Sequence, residues 1–440
     1  MKIESLVSAR WLITADGNDR VLENHALLIE QGRIMDILPA VTARQHIQAG
    51  QQYHLPHHAL MPGLINAHTH AAMSLMRGLA DDLPLMPWLQ QHIWPVEARW
   101  GSEEFVHDGS RLAMLEMLRS GTTCFNDMYF FPEATARAAR QAGLRGVIGL
   151  IMLDFPSNYA PGPEQYLDKA LALHEALKPD ALIHTAFAPH APYTVSDPHL
   201  LRLGDEARRL GIPLHMHVHE TATEVAQAEA QENSERPLAR LERLGLLDEH
   251  FLAVHMTQLE TREMEHLAQA GVHVIHCPES NLKLASGFCP VAKLQAAGVN
   301  VALGTDGAAS NNDLDMLGEM KTAALLGKAV AGDAAALPAR EMIRMATING
   351  ARALGLEQVT GSLETGKSAD LIAVNFGEPE SVPLYDPVSH LVYCTTRNQI
   401  THAWVAGRLL MDRRRLTTLD EADIVEKAKS WQRRLEPTHA

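Results

Sequence analysis

The chain has 440 residues, 46% of them hydrophobic, and a formal net charge of −15 at pH 7. That length exceeds a usual single domain and suits a barrel of about 250–300 residues with a smaller companion. The acidic balance and a pI near 5.9 offer no basic field to nucleic acid, and no apolar run approaches the ~18 residues needed to cross a bilayer.

In chain order, the first ~58 residues are strand-like. Residues 26–30 and 33–38 form an expected β-hairpin with Gly32 supplying the turn. Short apolar strands then alternate with helix-capable stretches; the strands are expected at 60–67, 121–127, 145–153, 182–189, 213–219, 251–256, 272–276 and 299–305. Eight such units predict an α/β fold, a (β/α)8 TIM barrel. The clearest amphipathic helices run over 102–119 and 197–210. Near the C-terminus, residues 369–374 read as a strand, and 400–405 with 408–411 as a second hairpin. The expected domains are therefore a composite β-sandwich from 1–58 and 359–412, a catalytic barrel at 59–358, and a helical tail at 413–440. The N-terminus has an early acid, Glu4, and no signal-peptide apolar core, so a cytoplasmic location is expected. Cys124, Cys277, Cys289 and Cys394 form no Cys-x-x-Cys pair and read as reduced packing residues.

Chemistry in such a barrel sits at the C-terminal ends of the strands. The first expected strand ends in His68-Thr-His70, whose side chains share a face because the strand period is two. The fifth carries His215, His217 and His219, then Glu220; the sixth ends at His255, the seventh at His276, the eighth at Thr305-Asp306. Imidazoles and a carboxylate converging on one rim are a donor set for zinc or iron(II). Period alone does not choose among the three histidines of the fifth strand. His215, the deepest, reads as a barrel-layer residue with a local hydrogen bond.

The stretches Pro62-Gly-Leu-Ile-Asn-Ala-His68-Thr-His70, His217-Val-His-Glu220, His255 and Gly304-Thr-Asp306-Gly resemble the amidohydrolase superfamily over nearly the whole chain. Within it, the chain is similar to the 5-methylthioadenosine/S-adenosylhomocysteine deaminase group, near the chlorotriazine hydrolases. The resemblance implies His68, His70, His217 and Asp306 as ligands of one Zn2+ per subunit, with Fe2+ the alternative. It implies Glu220 as proton shuttle, His255 beside the attacking water, and Asp306 as both ligand and proton acceptor. Binuclear relatives carry a lysine on the fourth strand. Here residues 182–190 hold none, which argues for one metal.

The same resemblance puts Glu97 on the ribose hydroxyls, against its plainer reading as a solvated helix charge, and His190 on a purine ring nitrogen, against a strand-end hydrogen bond. Trp88 lies in an apolar, proline-punctuated stretch over 83–94 that could lid the mouth and meet a thioether tail, or merely pack. The loop with His276, Ser280, Asn281 and Lys283 reads mainly as structure. The expected reaction is deamination of an adenine nucleoside, 5′-methylthioadenosine or adenosine ahead of S-adenosylhomocysteine, because residues 146–201 contain no arginine for the amino-acid carboxylate. Arg137, Arg140 or Arg145 could still serve. The competing readings are an aminohydrolase or chlorohydrolase acting on guanine or a triazine, and, remotely, a non-catalytic metal-binding scaffold. A homo-oligomer, dimer or tetramer, is expected.

Overall fold

The computed structural model describes residues 2–230 and 234–436; the last four residues of the expected C-terminal tail, 437–440, lie outside them. Two eight-stranded sheets organise the chain. One runs in strict sequence order through Leu64–Thr69, Thr122–Tyr129, Arg145–Met152, Ile183–Pro189, Leu214–Val218, Phe251–His255, His273–His276 and Asn300–Leu303. Its neighbouring strands pair in parallel throughout. The eighth strand returns to the first: Asp306 N–H donates to His68 O (3.0 Å), and Asn66 and Thr305 exchange bonds of 2.7 and 3.0 Å. These are the eight barrel strands, counted below from first to eighth. Their residues are buried almost throughout, as expected of parallel strands covered on both faces.

The other sheet is mixed and draws on both ends of the chain, in the order Arg415–Leu416, Arg408–Asp412, Ile400–Val405, Leu371–Asn375, Gln48–Pro62, Lys2–Ile13, Val21–Glu30, Arg33–Pro39. It folds over so that the tips of its two hairpins meet. Gly32, with φ +73°, stands so close to the opposite turn that a Cβ would lie 2.6 Å from Ala406 O. The strand expected at 60–67 is in fact split. Gln48–Pro62 belongs to the mixed sheet and Leu64–Thr69 to the barrel, with Gly63 between them, where a Cβ would overlap Thr123 at 2.0 Å.

Helix Glu103–Arg119 is capped by Ser102, whose Oγ accepts from Phe105 N–H at 3.2 Å. Helix Glu421–Leu435 packs on it through Trp431, whose indole donates to Asp108 at 3.0 Å. No disulfide joins the described cysteines; Cys124, Cys277 and Cys289 are buried as expected, whereas Cys394 is exposed. No helix among the described residues is long and apolar enough to cross a membrane.

Candidate active site

The side chains of His68, His70, His217 and Asp306 converge at the C-terminal rim, with one donor atom from each lying within 4.8 Å of all the others. Asp306 Oδ1 is 3.3 Å from His68 Nε2 and 3.1 Å from His70 Nε2, and the Nε2 atoms of His68 and His217 are 3.2 Å apart. Ligand atoms ~2.0–2.1 Å from a tetrahedral zinc ion stand roughly 3.3 Å from one another, so this donor set has the spacing of a mononuclear site. Each of three ligands is held from behind. His70 Nδ1 donates to Met128 O (2.5 Å) and His217 Nδ1 to His190 O (2.7 Å). Asp306 Oδ2 accepts from Ser280 (2.6 Å) and Ser310 (2.9 Å). Such partners fix ring orientation and leave the Nε2 lone pairs free for a cation.

Electrostatics suit the same donors. Burial lowers His68 to about 4 and drives His217 well below the usual imidazole range, which keeps both in the neutral, ligating form. Burial would raise Asp306, but hydrogen bonds from His68 and His70 hold it well below the carboxylate range. Against burial, the same contact pushes His70 up to about 9, so a cation binding here takes that proton's place.

Glu220 and His255 stand beside the donor set. Glu220 Oε2 lies 3.8 Å from His255 Nε2, and His255 Nδ1 is anchored on Asn281 Oδ1 at 2.9 Å. Burial raises the Glu220 carboxyl above its ordinary value, and the neighbouring His255 opposes the shift only in part. Three residues where strands turn into the site have left-handed backbone: His219 (φ 52°), His255 (φ 74°) and Asp306 (φ 60°). Each conformation costs about 1–3 kcal/mol outside glycine. Strain of this kind clusters at functional sites; the His219 ring itself is held elsewhere, its Nε2 accepting from Leu238 N–H at 3.1 Å.

A cavity of about 440 Å³ opens over these groups. Glu97, His190 and Trp88 all line it. Glu97 accepts a 2.7 Å hydrogen bond from the Tyr129 hydroxyl, and burial raises it to about 7. Burial and then the charge of His70 lower His190 to about 3, so its imidazole is neutral; its Nδ1 lies 3.3 Å from Thr194 Oγ1. The expected lid over 83–94 is helix Leu85–Trp88 continued by one wide turn, Leu89–Ile93, into helix Trp94–Trp100. The extra residue of that turn rotates the succeeding helix by about 100°, and Trp88, Leu89, Trp94 and Glu97 all reach the cavity.

A model of the amidohydrolase family matches residues 59–410. The chain belongs to the amidohydrolase family. Among similar amidohydrolases, the 5-methylthioadenosine/S-adenosylhomocysteine deaminase of Saccharophagus degradans is 51% identical over 99% of this chain and 97% of its own length. The protein of the same name from Teredinibacter turnerae is 49% identical over 98% of each. A solved adenosine deaminase from Xanthomonas campestris with bound zinc superposes with a TM-score of 0.97 at 50% identity, covering 99% of both chains. An atrazine chlorohydrolase from Arthrobacter aurescens, at 23% identity and a TM-score of 0.89 over 97% of this chain and 99% of its own, shares the fold.

His215 makes the local hydrogen bond expected of it, its Nε2 lying 2.9 Å from His68 Nδ1. Other supporting contacts of this amidohydrolase site are less legible in the sequence. The loop after the seventh strand reads as mainly structural, yet its Ser280 and Asn281 hold Asp306 and His255. Tyr129 holds Glu97. Ser310, four residues beyond Asp306, carries the clearest spacing signal among them. Of the arginines left open for a substrate carboxylate, Arg145 is buried and pairs with Asp370 (2.8 Å) far from the cavity, Arg137 bonds Glu103 and Arg140 bonds Asp180.

Proposed function

We propose that the chain hydrolyses the C6 amino group of an adenine nucleoside, 5′-methylthioadenosine by preference, giving the 6-oxo nucleoside and ammonia. The observation that carries this reading is one cavity holding a donor set of three histidines and an aspartate, an acid with a raised pKa beside it, and a second carboxylate on its wall. His68, His70, His217 and Asp306 would hold a single zinc ion, with iron(II) the alternative. When bound, the dication supplies a coordinated water whose pKa falls from 15.7 toward ~7 and which can attack at neutral pH.

The chain's own groups do the rest. His255, fixed by Asn281, orients the attacking oxygen, and Asp306 accepts the proton that the water gives up. Glu220, whose carboxyl burial raises, donates to the ring nitrogen next to C6 as the C–O bond forms. The C–N bond then breaks: one of the two water protons leaves with ammonia, and the other returns to Glu220, which starts the next cycle protonated. His190, neutral and on the cavity wall, would donate to a purine nitrogen. Glu97 accepts from the vicinal ribose hydroxyls, a match of two donors to a carboxylate. Trp88, Leu89 and Phe155 offer an apolar wall to the 5′ substituent.

Among the described residues that line the cavity there is no lysine or arginine. An amino-acid carboxylate placed there would be desolvated without a partner. The methylthio nucleoside should therefore exceed S-adenosylhomocysteine in kcat/KM by at least about tenfold, the value of one lost charge-assisted bond. A purine panel read by absorbance and ammonia release on zinc-loaded protein tests both claims. Equal turnover of S-adenosylhomocysteine overturns the preference, and release from guanine or a triazine alone overturns the nucleoside assignment. The domains of this enzyme are the composite sandwich (1–58, 359–412), the barrel (59–358) and the tail (413–440), and its form is a cytoplasmic homo-oligomer, whose assembly light scattering tests.

A further inference from the structure

Behind the rim, one buried acid bonds the backbone that carries Glu220. Glu224 sits in the first turn of helix Ala222–Glu229, directly after the fifth strand, and is only 9% exposed. The helix is capped by Thr221, whose Oγ1 accepts from Glu224 N–H at 3.1 Å. In a reciprocal capping box the acid three residues on would reach back to the cap's own N–H. Glu224 instead reaches one and two residues further back. Its Oε2 accepts from Glu220 N–H at 2.7 Å and its Oε1 from His219 N–H at 3.3 Å.

Those two N–H groups belong to the left-handed turn at His219, the backbone step that swings Glu220 from the strand into the cavity. Successive N–H groups at such a turn form an anion-binding concavity. Here the anion is a side chain of the same segment. Bonds to main-chain N–H groups, rather than a neighbouring cation, are what hold the Glu224 carboxylate in its buried position.

We propose that Glu224 is a positioning residue for the deamination: its carboxyl grips the turn that aims Glu220. The proposal rests on the assignment of Glu220 as the acid. Glu220 faces His255 from the sixth strand, Asp306 from the eighth, His70 from the first, Tyr193 from the loop after the fourth and Glu224 from its own helix. Of these, Glu224 is the acid outside the metal donor set. Burial, then the charge of Glu220, raises Glu224 itself to about 7.

Three variants of the zinc-loaded enzyme test the grip. Glu224→Gln removes the charge and should lower kcat about ten- to a hundredfold, as a misaimed group does, with KM and zinc content unchanged. Glu224→Asp keeps the carboxylate on a shorter stem that cannot span both N–H groups, and should lower kcat likewise with KM unchanged. Glu224→Ala should speed amide hydrogen exchange at His219 and Glu220 about tenfold or more, the worth of one hydrogen bond to a charged group. That last measurement needs no substrate, so it decides the grip even if no adenine nucleoside is turned over and the functional reading fails. Unchanged exchange overturns the positioning role, and so does a wild-type kcat in Glu224→Gln.

Discussion

The two ends of the barrel use buried polar groups in opposite ways. At the N-terminal end of the third strand, Arg145 is 2% exposed and wholly satisfied. Its guanidinium bonds both oxygens of Asp370 (2.8 and 3.3 Å), Ser368 Oγ (3.0 Å) and Ala181 O (3.3 Å), and Asp370 Oδ1 also accepts from Ala406 N–H at 2.7 Å. That network ties the barrel to the mixed sheet and leaves nothing over for a ligand. At the C-terminal rim, Asp306, His68, His217 and Glu220 are buried too, yet their donor atoms face one point and three left-handed turns hold the rim in place. A closed network at one end stabilises the fold; an open one at the other spends stability on chemistry.

The contrast breaks if the two ends respond alike to substitution. The largest expected effect is at the rim. Glu220→Gln keeps the shape and removes the proton, so kcat should fall by about 10²–10⁴-fold while the thermal midpoint and the bound zinc stay at wild-type values. A kcat within tenfold of wild type in an ammonia-release assay would remove Glu220 from the chemistry. At the other end, Arg145→Ala leaves Asp370 buried and unpaired, and denaturant unfolding should show a loss of about 3–5 kcal/mol. The folded fraction should turn over at the wild-type kcat. Unchanged stability there would mean that solvent reaches the pair.

Much of this site is legible in the chain because strands alternate. His68 and His70, like His215 and His217, share a face by period alone, and the barrel rule puts those faces on one rim. Element boundaries slip where a constraint comes from elsewhere in space. Residues 60–67 read as one strand, but Pro62 still pairs with Leu371 of the mixed sheet while Leu64 opens the barrel. Groups that act through another side chain leave almost no trace. Tyr129 meets Glu97 across 32 positions and Ser280 meets Asp306 across 26, and neither pair has a spacing that a helix or strand would impose. Arg145 is misleading for the same reason: its partner lies 225 residues away. Glu224 is the intermediate case. Four residues beyond Glu220 on a Thr-capped helix, it carries a capping signature, but not the change of register that turns its carboxylate onto the catalytic turn.

The smallest expected effect sharpens the rim itself by separating binding from chemistry. Burial raises Glu97 to about 7, in spite of the Tyr129 hydrogen bond, which favours the carboxylate. In the proposed ribose role, the ionised group above that pH would accept from both hydroxyls; below it, the proton would fill one acceptor position and leave the second hydroxyl without a partner. For a nucleoside, kcat/KM should therefore fall as the pH drops from 8 to 6, by up to about tenfold per unit below the pKa, since this ratio reports groups of the free enzyme. Free adenine, with no ribose, should lack that limb. Glu97→Gln cannot ionise and should flatten it, at a cost of about 1.5–3 kcal/mol in kcat/KM near pH 8. An acid limb that survives in Glu97→Gln would assign the titration to another rim group and leave Glu97 as a wall residue.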